Sequence, residues 1–310
     1  MSTTTNTILM IRPANFGFNT QTAENNSFQS DDKDESAKVV ANKAREEFDN
    51  MVEILRSNGV NIIVIEDTPE PKKPDAIFPN NWISFHGNGA VLTYPMYAPN
   101  RRIERREDII DELGKSFKVE RRYTFEHYEE DDMFLEGTGS MLFDRNNKIV
   151  YACLSQRTDA RLIDKFCVLV EYNRVVFHAV DRDGIPIYHT NVMMALGEDF
   201  AILCEDSIQN PDELKELQYT LENTGKEIIS ISYDQMESFA GNMLQVRNDT
   251  GQTFLVMSQW AYNSLNEDQL NKLSAKTQLL PIDIGTIEYY GGGSVRCMMA
   301  EVFLHKKMIK

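Results

Sequence analysis

The chain has 310 residues, and its 42% of hydrophobic residues is sufficient for a substantial globular core. Its 32 basic and 48 acidic side chains give a formal net charge of −16. Nucleic acid and anionic membrane surfaces would be repelled by so acidic a protein, so neither is expected as a partner and a small ligand fits better. The four cysteines form no Cys-x-x-Cys pair, which predicts free thiols in a reducing compartment rather than structural disulfides or a zinc site.

The N-terminal sequence MSTTTNTILMIRP lacks the basic segment and long apolar core of a secretory signal. No apolar run elsewhere in the sequence is long enough to span a bilayer. The sequence therefore predicts a cytoplasmic protein.

The first elements predicted along the chain are a strand, a helix and a strand. Residues 8–12 (ILMIR) have the pattern of a buried strand, and a polar loop follows them. From about Ala37 to Ser57, apolar residues recur at spacings of three and four, which predicts an amphipathic helix that ends before Gly59. Residues 60–66 (VNIIVIE) then predict the second strand.

The same order returns four more times, in the fuller form strand, hairpin turn, strand, helix, strand. The strands that precede the helices contain Val91, Ile149, Ala201 and Phe254, which are separated by 58, 52 and 53 residues. A near-constant step with a repeated order of elements indicates an internally repeated α/β architecture. The strands that open the fuller units are predicted at residues 80–85, 138–143, 190–196, 241–246 and 294–303.

The N-terminal unit lacks an opening strand, whereas the C-terminus ends on one without a partner. Pairing these two would close five units into a ring, remove both exposed edges and make the chain one domain. Closure would also gather the starts of the opening strands around the axis, where such folds place their sites. These starts read PDAIFPNN (residues 74–81), FLEGTG (134–139), YHTN (188–191), FAGN (239–242) and GGGSVRC (291–297).

Together with SQRT at residues 155–158, these segments resemble the guanidine-modifying enzymes. That family has the five-bladed α/β-propeller (pentein) fold and includes arginine deiminases, dimethylarginine hydrolases and amidinotransferases. The resemblance covers essentially the whole chain and is closest to the citrulline utilisation hydrolases (citrulline ureidohydrolases), which share the PNNW and RPANF segments. It implies one pentein catalytic domain over residues 1–310, built from pseudo-symmetric ββαβ units and closed by the C-terminal strand.

The resemblance assigns catalysis to three residues. A carbon bonded to nitrogen on every side is a poor electrophile, so Cys297 is expected to attack it as a thiolate and form a covalent intermediate. The glycines before Cys297 would let the substrate approach the thiol from the main-chain side. His189 would protonate the departing nitrogen and then activate water, while Glu136 would accept a hydrogen bond from the imidazole and favour its protonated form. No metal or organic cofactor is required.

Each of these residues also has a structural interpretation. Cys297 could be a small buried hydrophobe, His189 an ordinary histidine of the core, and Glu136 a cap of the turn that follows it. Arg157 resembles the family arginine that holds the substrate α-carboxylate, although an exposed salt-bridging arginine would give the same pattern. The charged residues 127–133 (HYEEDDM) are either a lid over the site or a solvated loop.

The sequence departs from the deiminases at two positions. Deiminases bind a cationic guanidinium with carboxylates where this chain has Asn81 and Asn191. Two amides offer donors and acceptors to a neutral group without leaving an unpaired buried charge, and this favours a ureido group. Asp75 is expected to bind a substrate amine, or to be a turn residue after Pro74. The favoured function is hydrolysis of free L-citrulline to ornithine, carbon dioxide and ammonia.

Two other functions are open at this point. An arginine deiminase or dimethylarginine-type hydrolase would act on a guanidino carbon, with Asp75 as the anion that binds it. A non-catalytic ring of the same fold would bind a macromolecule and would not need the thiol of Cys297. For either enzyme the partner is a small amino acid, and the sequence is compatible with a homo-oligomer without determining the oligomeric state.

Overall fold

A computed structural model describes residues 3–31 and 35–308 of the chain. In chain order the strands are β1 (Thr7–Arg12), β2 (Asn61–Glu66), β3 (Ile83–Phe85), β4 (Ala90–Thr93), β5 (Arg121–Thr124), β6 (Leu142–Asp144), β7 (Ile149–Cys153), β8 (Asn173–Phe177), β9 (Met194–Leu196), β10 (Phe200–Leu203), β11 (Glu227–Ser230), β12 (Leu244–Arg247), β13 (Thr253–Ser258), β14 (Gln278–Ile282) and β15 (Ala300–Glu301). The helices are α1 (Ala37–Ser57), α2 (Glu107–Ser116), α3 (Gly137–Ser140), α4 (Ala160–Val170), α5 (Thr190–Met193), α6 (Pro211–Asn223), α7 (Tyr233–Glu237), α8 (Gln259–Ser264), α9 (Glu267–Ser274) and α10 (Gly285–Gly291).

Over the described ranges the strands form five α/β units, each with a sheet of three strands. The central strands are β1, β4, β7, β10 and β13, which are the strands predicted to precede the helices. Each central strand pairs antiparallel with a short opening strand and parallel with the strand that follows the helix. The parallel pairs need a crossover, and the helices between their strands provide it.

The C-terminal strand pairs with the N-terminal unit, as the sequence predicted. Ile8 of β1 lies opposite Glu301 of β15, and Leu9 lies opposite Ala300, in an antiparallel register. The otherwise exposed edge of β1 is therefore covered by a segment almost 300 residues away in the chain.

The start, the buried face and the end of helix α1 follow from local sequence signals. The hydroxyl of Ser36 accepts a hydrogen bond from the backbone N–H of Val39 and caps the first turn. The apolar face of α1 is buried, and it consists of Val40, Ala44, Phe48, Met51, Val52 and Leu55. Gly59 follows the helix with φ +82°, a conformation that ends helices readily when the residue is glycine. A fully buried side chain such as Phe48 contributes about 2–3 kcal/mol through removal of apolar area from water.

The predicted opening strands are wrong at their N-terminal ends. The segments around residues 79–81, 137–140 and 190–193 are short helical turns, and the strands begin only after them. Backbone hydrogen bonds close these turns: the N–H of Ser140 donates to the carbonyl of Glu136, and the N–H of Val192 donates to the carbonyl of His189. A short apolar run does not distinguish a strand from a helical turn, so periodicity could not locate this change.

No helix within the part of the chain that the structure describes is long and apolar enough to cross a membrane.

Candidate active site

The helical turns that precede the opening strands pack against each other and carry the predicted site residues. Helix α3 contacts both α5 and the turn Pro79–Asn81. Glycines allow this approach: a Cβ on Gly139 would lie 2.4 Å from Asn81 Nδ2 and 2.8 Å from His189 Nδ1. The structure therefore brings residues from three separate units to one buried place.

Glu136 and His189 form a buried pair. His189 Nε2 lies 2.8 Å from Glu136 Oε2, and the other carboxylate oxygen accepts a bond from the backbone N–H of Tyr97 at 2.9 Å. Burial alone would raise the pKa of Glu136, but Arg157, His189 and Arg101 outweigh it and lower that pKa to about 2. Glu136 is therefore a carboxylate at neutral pH, and as an acceptor it requires the hydrogen on Nε2 of His189.

The imidazole of His189 is held in its neutral form, contrary to the expectation from the sequence. Burial lowers the pKa of His189, and although Glu136 raises it, the net direction is below the ordinary value of 6.5. Arg157 and Arg101 add to the lowering. With the Nε2 hydrogen directed at Glu136, the unprotonated Nδ1 is the nitrogen able to take a proton.

Cys297 lies in a turn in which its own N–H donates to the carbonyl of Ser294, and 7% of its surface is exposed. Two side-chain amides face its sulfur: Asn242 Nδ2 at 3.3 Å and Asn191 Nδ2 at 3.5 Å. The glycines before Cys297 are closely packed against neighbouring side chains. A Cβ on Gly291 would lie 2.9 Å from Phe78 Cζ, so a neighbouring side chain fills that space.

Asp75 and Asn81 meet at Arg101, a residue that the sequence analysis missed. Arg101 Nη1 donates to Asn81 Oδ1 at 2.9 Å, and its guanidinium also binds both oxygens of Glu104 at 2.9 and 2.8 Å. Arg101 Nε lies 3.7 Å from Asp75 Oδ2. Burial nevertheless raises the pKa of Asp75 above its ordinary value of 3.8, against the effect of Arg101. The other oxygen of Asp75 has no hydrogen-bond partner among the described residues.

Arg157 is buried, so its interpretation as an exposed salt-bridging arginine is wrong. Its guanidinium lies 4.8 Å from the ring centroid of Tyr188, and Nη1 lies 3.7 Å from Glu136 Oε2. Nη2 donates to the carbonyl of Thr22 at 3.2 Å and to the side chain of Asn25. Its Nε has no hydrogen-bond partner in the described parts of the chain.

Residues 19–29 form a cover over these side chains, hereafter the N-terminal cover. Asn19 Nδ2 donates to Asp75 Oδ2 at 2.7 Å, and Gln29 Nε2 donates to the carbonyl of Gly291 at 3.2 Å. The only sequence signal was the polar composition of this loop. The charged segment, for which the sequence left a lid and a solvated loop open, contains a 3-10 turn, Glu126–Asp131, in which Glu129 pairs with Arg102 and Arg105.

Asn242 is a second functional candidate that the sequence analysis did not single out, although its segment FAGN was placed near the axis.

All four cysteines, which lie within the described ranges, are free thiols, and Cys153 is fully buried. Residues 3–31 and 35–308 contain no group of three or more His, Cys, Asp or Glu side chains arranged to hold a metal ion.

Comparison with known proteins identifies a family over most of the chain. A model of the family described as N,N dimethylarginine dimethylhydrolase, eukaryotic, matches residues 12–304. A search of curated protein sequences finds no match.

Solved structures show the fold. The N-terminal domain of ArgZ, an arginine dihydrolase from the ornithine-ammonia cycle in cyanobacteria, superposes with a TM-score of 0.72 at 16% identity, covering 96% of this chain and 97% of that one. The ternary complex of AgrE with ornithine and NAD+ gives 0.69 at 16% identity, covering 98% of this chain and 40% of that one. A dimethylarginine dimethylaminohydrolase adduct with S-methyl-L-thiocitrulline gives 0.63 at 16% identity, covering 95% and 98%. This chain shares the pentein α/β fold with them.

Proposed function

Because this chain belongs to the family described as N,N dimethylarginine dimethylhydrolase, eukaryotic, we propose that it hydrolyses the guanidino group of free arginine or of an N-substituted arginine. The protein is a C–N hydrolase with a cysteine nucleophile, within the guanidino-modifying pentein enzymes. The observation that carries the proposal is the buried pair of His189 and Glu136 beside the turn of Asn191, whose amide contacts the sulfur of Cys297.

In the proposed first half-reaction, the sulfur of Cys297 attacks the guanidino carbon and forms a C–S bond. The thiol proton passes to Nδ1 of His189, which is neutral in the free enzyme, and then to the departing nitrogen as the C–N bond breaks. The carboxylate of Glu136 stabilises the imidazolium that exists between these transfers. Ammonia or an alkylamine leaves, and the guanidino carbon remains bonded to the sulfur of Cys297 as an S-alkylthiouronium adduct.

In the second half-reaction, His189 takes a proton from water, and the oxygen attacks the same carbon. The C–S bond then breaks and the thiol of Cys297 is restored by that proton. The product is the ureido amino acid, citrulline. Splitting one displacement at an unreactive carbon into two steps is the reason for a covalent route.

Two unpartnered atoms support the placement of an arginine-type substrate. Asp75 Oδ1 is buried and free to accept from a guanidinium N–H, and this would give the buried carboxylate a compensating cation. Arg157 Nε is a buried donor suited to the substrate α-carboxylate. The hydrogen bonds that Arg157 Nη2 donates to Thr22 and Asn25 of the N-terminal cover hold the guanidinium in place.

A second candidate, hydrolysis of citrulline, is favoured by the orientation of Asn81. Arg101 can only donate, so the Oδ1 atom of Asn81 must face it and Nδ2 must face away from it. That Nδ2 has no partner within the described residues and could donate a hydrogen bond to a ureido oxygen. A carboxylate at this position could not, because it has no hydrogen to donate. Asn191 Oδ1, also without a partner there, could accept from the ureido NH₂ group.

The closed five-bladed propeller and the single catalytic domain over residues 1–310 are part of the same proposal. The pairing of β1 with β15 supports them, because it joins the two ends of the repeated series. A small amino acid is the proposed partner.

The test is incubation of the enzyme with arginine, N,N-dimethylarginine and citrulline separately, followed by mass spectrometry of the products and of the intact protein. Citrulline from a guanidino substrate, with an adduct on Cys297, supports the main proposal. Ornithine and ammonia from citrulline without turnover of either guanidino compound would replace it by the second candidate. The Cys297→Ser variant is the control and should show neither turnover nor adduct, whereas full activity of that variant would contradict both.

A further inference from the structure

Asn242 follows the turn at residues 238–241, two residues before β12, and is 3% exposed. The glycine beside it allows this segment to approach α5, since a Cβ on Gly241 would lie 2.2 Å from the carbonyl oxygen of Val192. The approach brings the amide of Asn242 between the chain at Asn191 and the turn that carries Cys297.

The amide of Asn242 has only one orientation that its neighbours allow. Its Oδ1 accepts from the backbone N–H of Arg296 at 3.1 Å, and its Nδ2 donates to the backbone carbonyl of Asn191 at 2.9 Å. A backbone N–H can only donate and a carbonyl can only accept, so exchanging the oxygen and nitrogen would break both bonds. The second hydrogen of Nδ2 is therefore left for the sulfur of Cys297 at 3.3 Å.

Asn191 differs in this respect, although its Nδ2 is also within 3.5 Å of the sulfur. Its Oδ1 has no partner among the residues that the structure describes. Nothing there fixes the orientation of its amide, which can turn to a substrate. Asn242 is the donor whose direction is set before substrate binds.

A fixed N–H favours the anionic form of sulfur, because a thiolate accepts hydrogen bonds well and a thiol poorly. The thiol could instead donate to Asn242 Oδ1, but at 3.8 Å that contact is longer and the oxygen already accepts from Arg296. We propose that Asn242 stabilises the thiolate of Cys297 and directs it, a role that rests on the proposed nucleophilic function of that cysteine. Such a donor needs no reorganisation during attack or when the thiolate leaves.

The experiment measures the rate of Cys297 alkylation by iodoacetamide from pH 5.5 to 10, with the site identified by peptide mass spectrometry. This readout needs no substrate. In Asn242→Ala, the pH midpoint should rise by about one unit, and the rate near neutral pH should fall about 10-fold. Asn191→Ala is the matched control, since it removes an amide at similar distance without a fixed direction, and its shift should be smaller.

Thermal unfolding establishes that each variant is folded. If Asn242→Ala does not fold, Asn242→Leu keeps roughly the side-chain volume and removes both N–H donors without placing a charge beside the sulfur, and its midpoint should also rise. An unchanged midpoint in a folded Asn242 variant would overturn the inference while leaving the proposed function intact. Absence of a substrate adduct on Cys297 in the wild type, together with full activity of Cys297→Ser, would instead contradict the nucleophile itself.

Discussion

His189 Nε2 and Glu136 Oε2 lie 2.8 Å apart, although the two residues are 53 positions apart in the chain. The carboxylate can only accept, so this contact selects the tautomer in which Nδ1 of His189 is free. Both side chains are almost completely buried. The contact therefore determines which nitrogen can move protons, and burial determines that it starts unprotonated.

Replacement of Glu136 by glutamine tests this tautomer. The amide of Glu136→Gln can donate to Nε2 and would then force the hydrogen to Nδ1, so kcat should fall by about 10²–10⁴ while substrate affinity changes less. Steady-state kinetics on the preferred substrate measures the effect. Glu130→Gln, an exposed position in the segment after Phe125, is the control and should retain activity. A fully active Glu136→Gln enzyme would exclude the proposed role.

Gly139→Ala should inactivate the enzyme without unfolding it. The new methyl group would lie 2.4 Å from Asn81 Nδ2 and 2.8 Å from His189 Nδ1, so at least one of them must move. We expect kcat/KM to fall by more than about 100-fold, because small displacements of catalytic groups are costly. Gly114→Ala is the control: its Cβ meets nothing within 4 Å, and in a helix alanine stabilises by about 0.5–1 kcal/mol. Comparable activity of both variants would contradict the geometry.

Glu288 should make the free energy of unfolding decrease as the pH rises into the alkaline range. Burial raises its pKa from the ordinary value of 4.5 to about 8, and its bond from Ser294 at 2.6 Å does not offset burial. The folded state then binds the proton more tightly than the unfolded state, so this contribution to stability is complete below about pH 4.5 and is lost as pH rises through 8.

Glu288→Gln removes that titration. The free energy of unfolding of the variant relative to wild type should increase from pH 5 to about 8 and become constant above it, as measured by denaturant titration. Glu53→Gln, on the exposed face of α1, is measured in the same way as the control for the loss of one carboxyl group. A variant-to-wild-type difference that is independent of pH would be inconsistent with the buried acid.

The N-terminal cover should limit access to Cys297. Asn25→Ala removes the side-chain bond to Arg157, and Gln29→Ala removes the bond to the carbonyl of Gly291. Either change should speed alkylation of Cys297 by iodoacetamide at fixed pH, by a few-fold, because local opening costs less free energy. Glu24→Gln, exposed in the same segment, should alkylate at the wild-type rate. Equal rates in all the variants would mean that reagent enters by another route.

The elements with strong local signals were predictable. Helix α1 was placed at its observed bounds because the spacing of its apolar residues and the position of Gly59 are both local signals. The starts of the opening strands were not, because residues 137–140 and 190–193 are short apolar or polar runs whose helical turns depend on packing against neighbouring units.

The amino-acid sequence establishes which chemical groups are present and their order along the chain: Asp75, Asn81, Glu136, His189 and Cys297, each at the start of a repeated unit. Which atoms of these groups meet depends on how the folded chain packs. Arg101 orients Asn81, Asn242 orients toward the sulfur, and burial rather than the neighbouring carboxylate sets the direction of the His189 pKa. Residue type fixes what a side chain can donate, accept or ionise, whereas direction, distance and desolvation arise from packing between segments far apart in the chain.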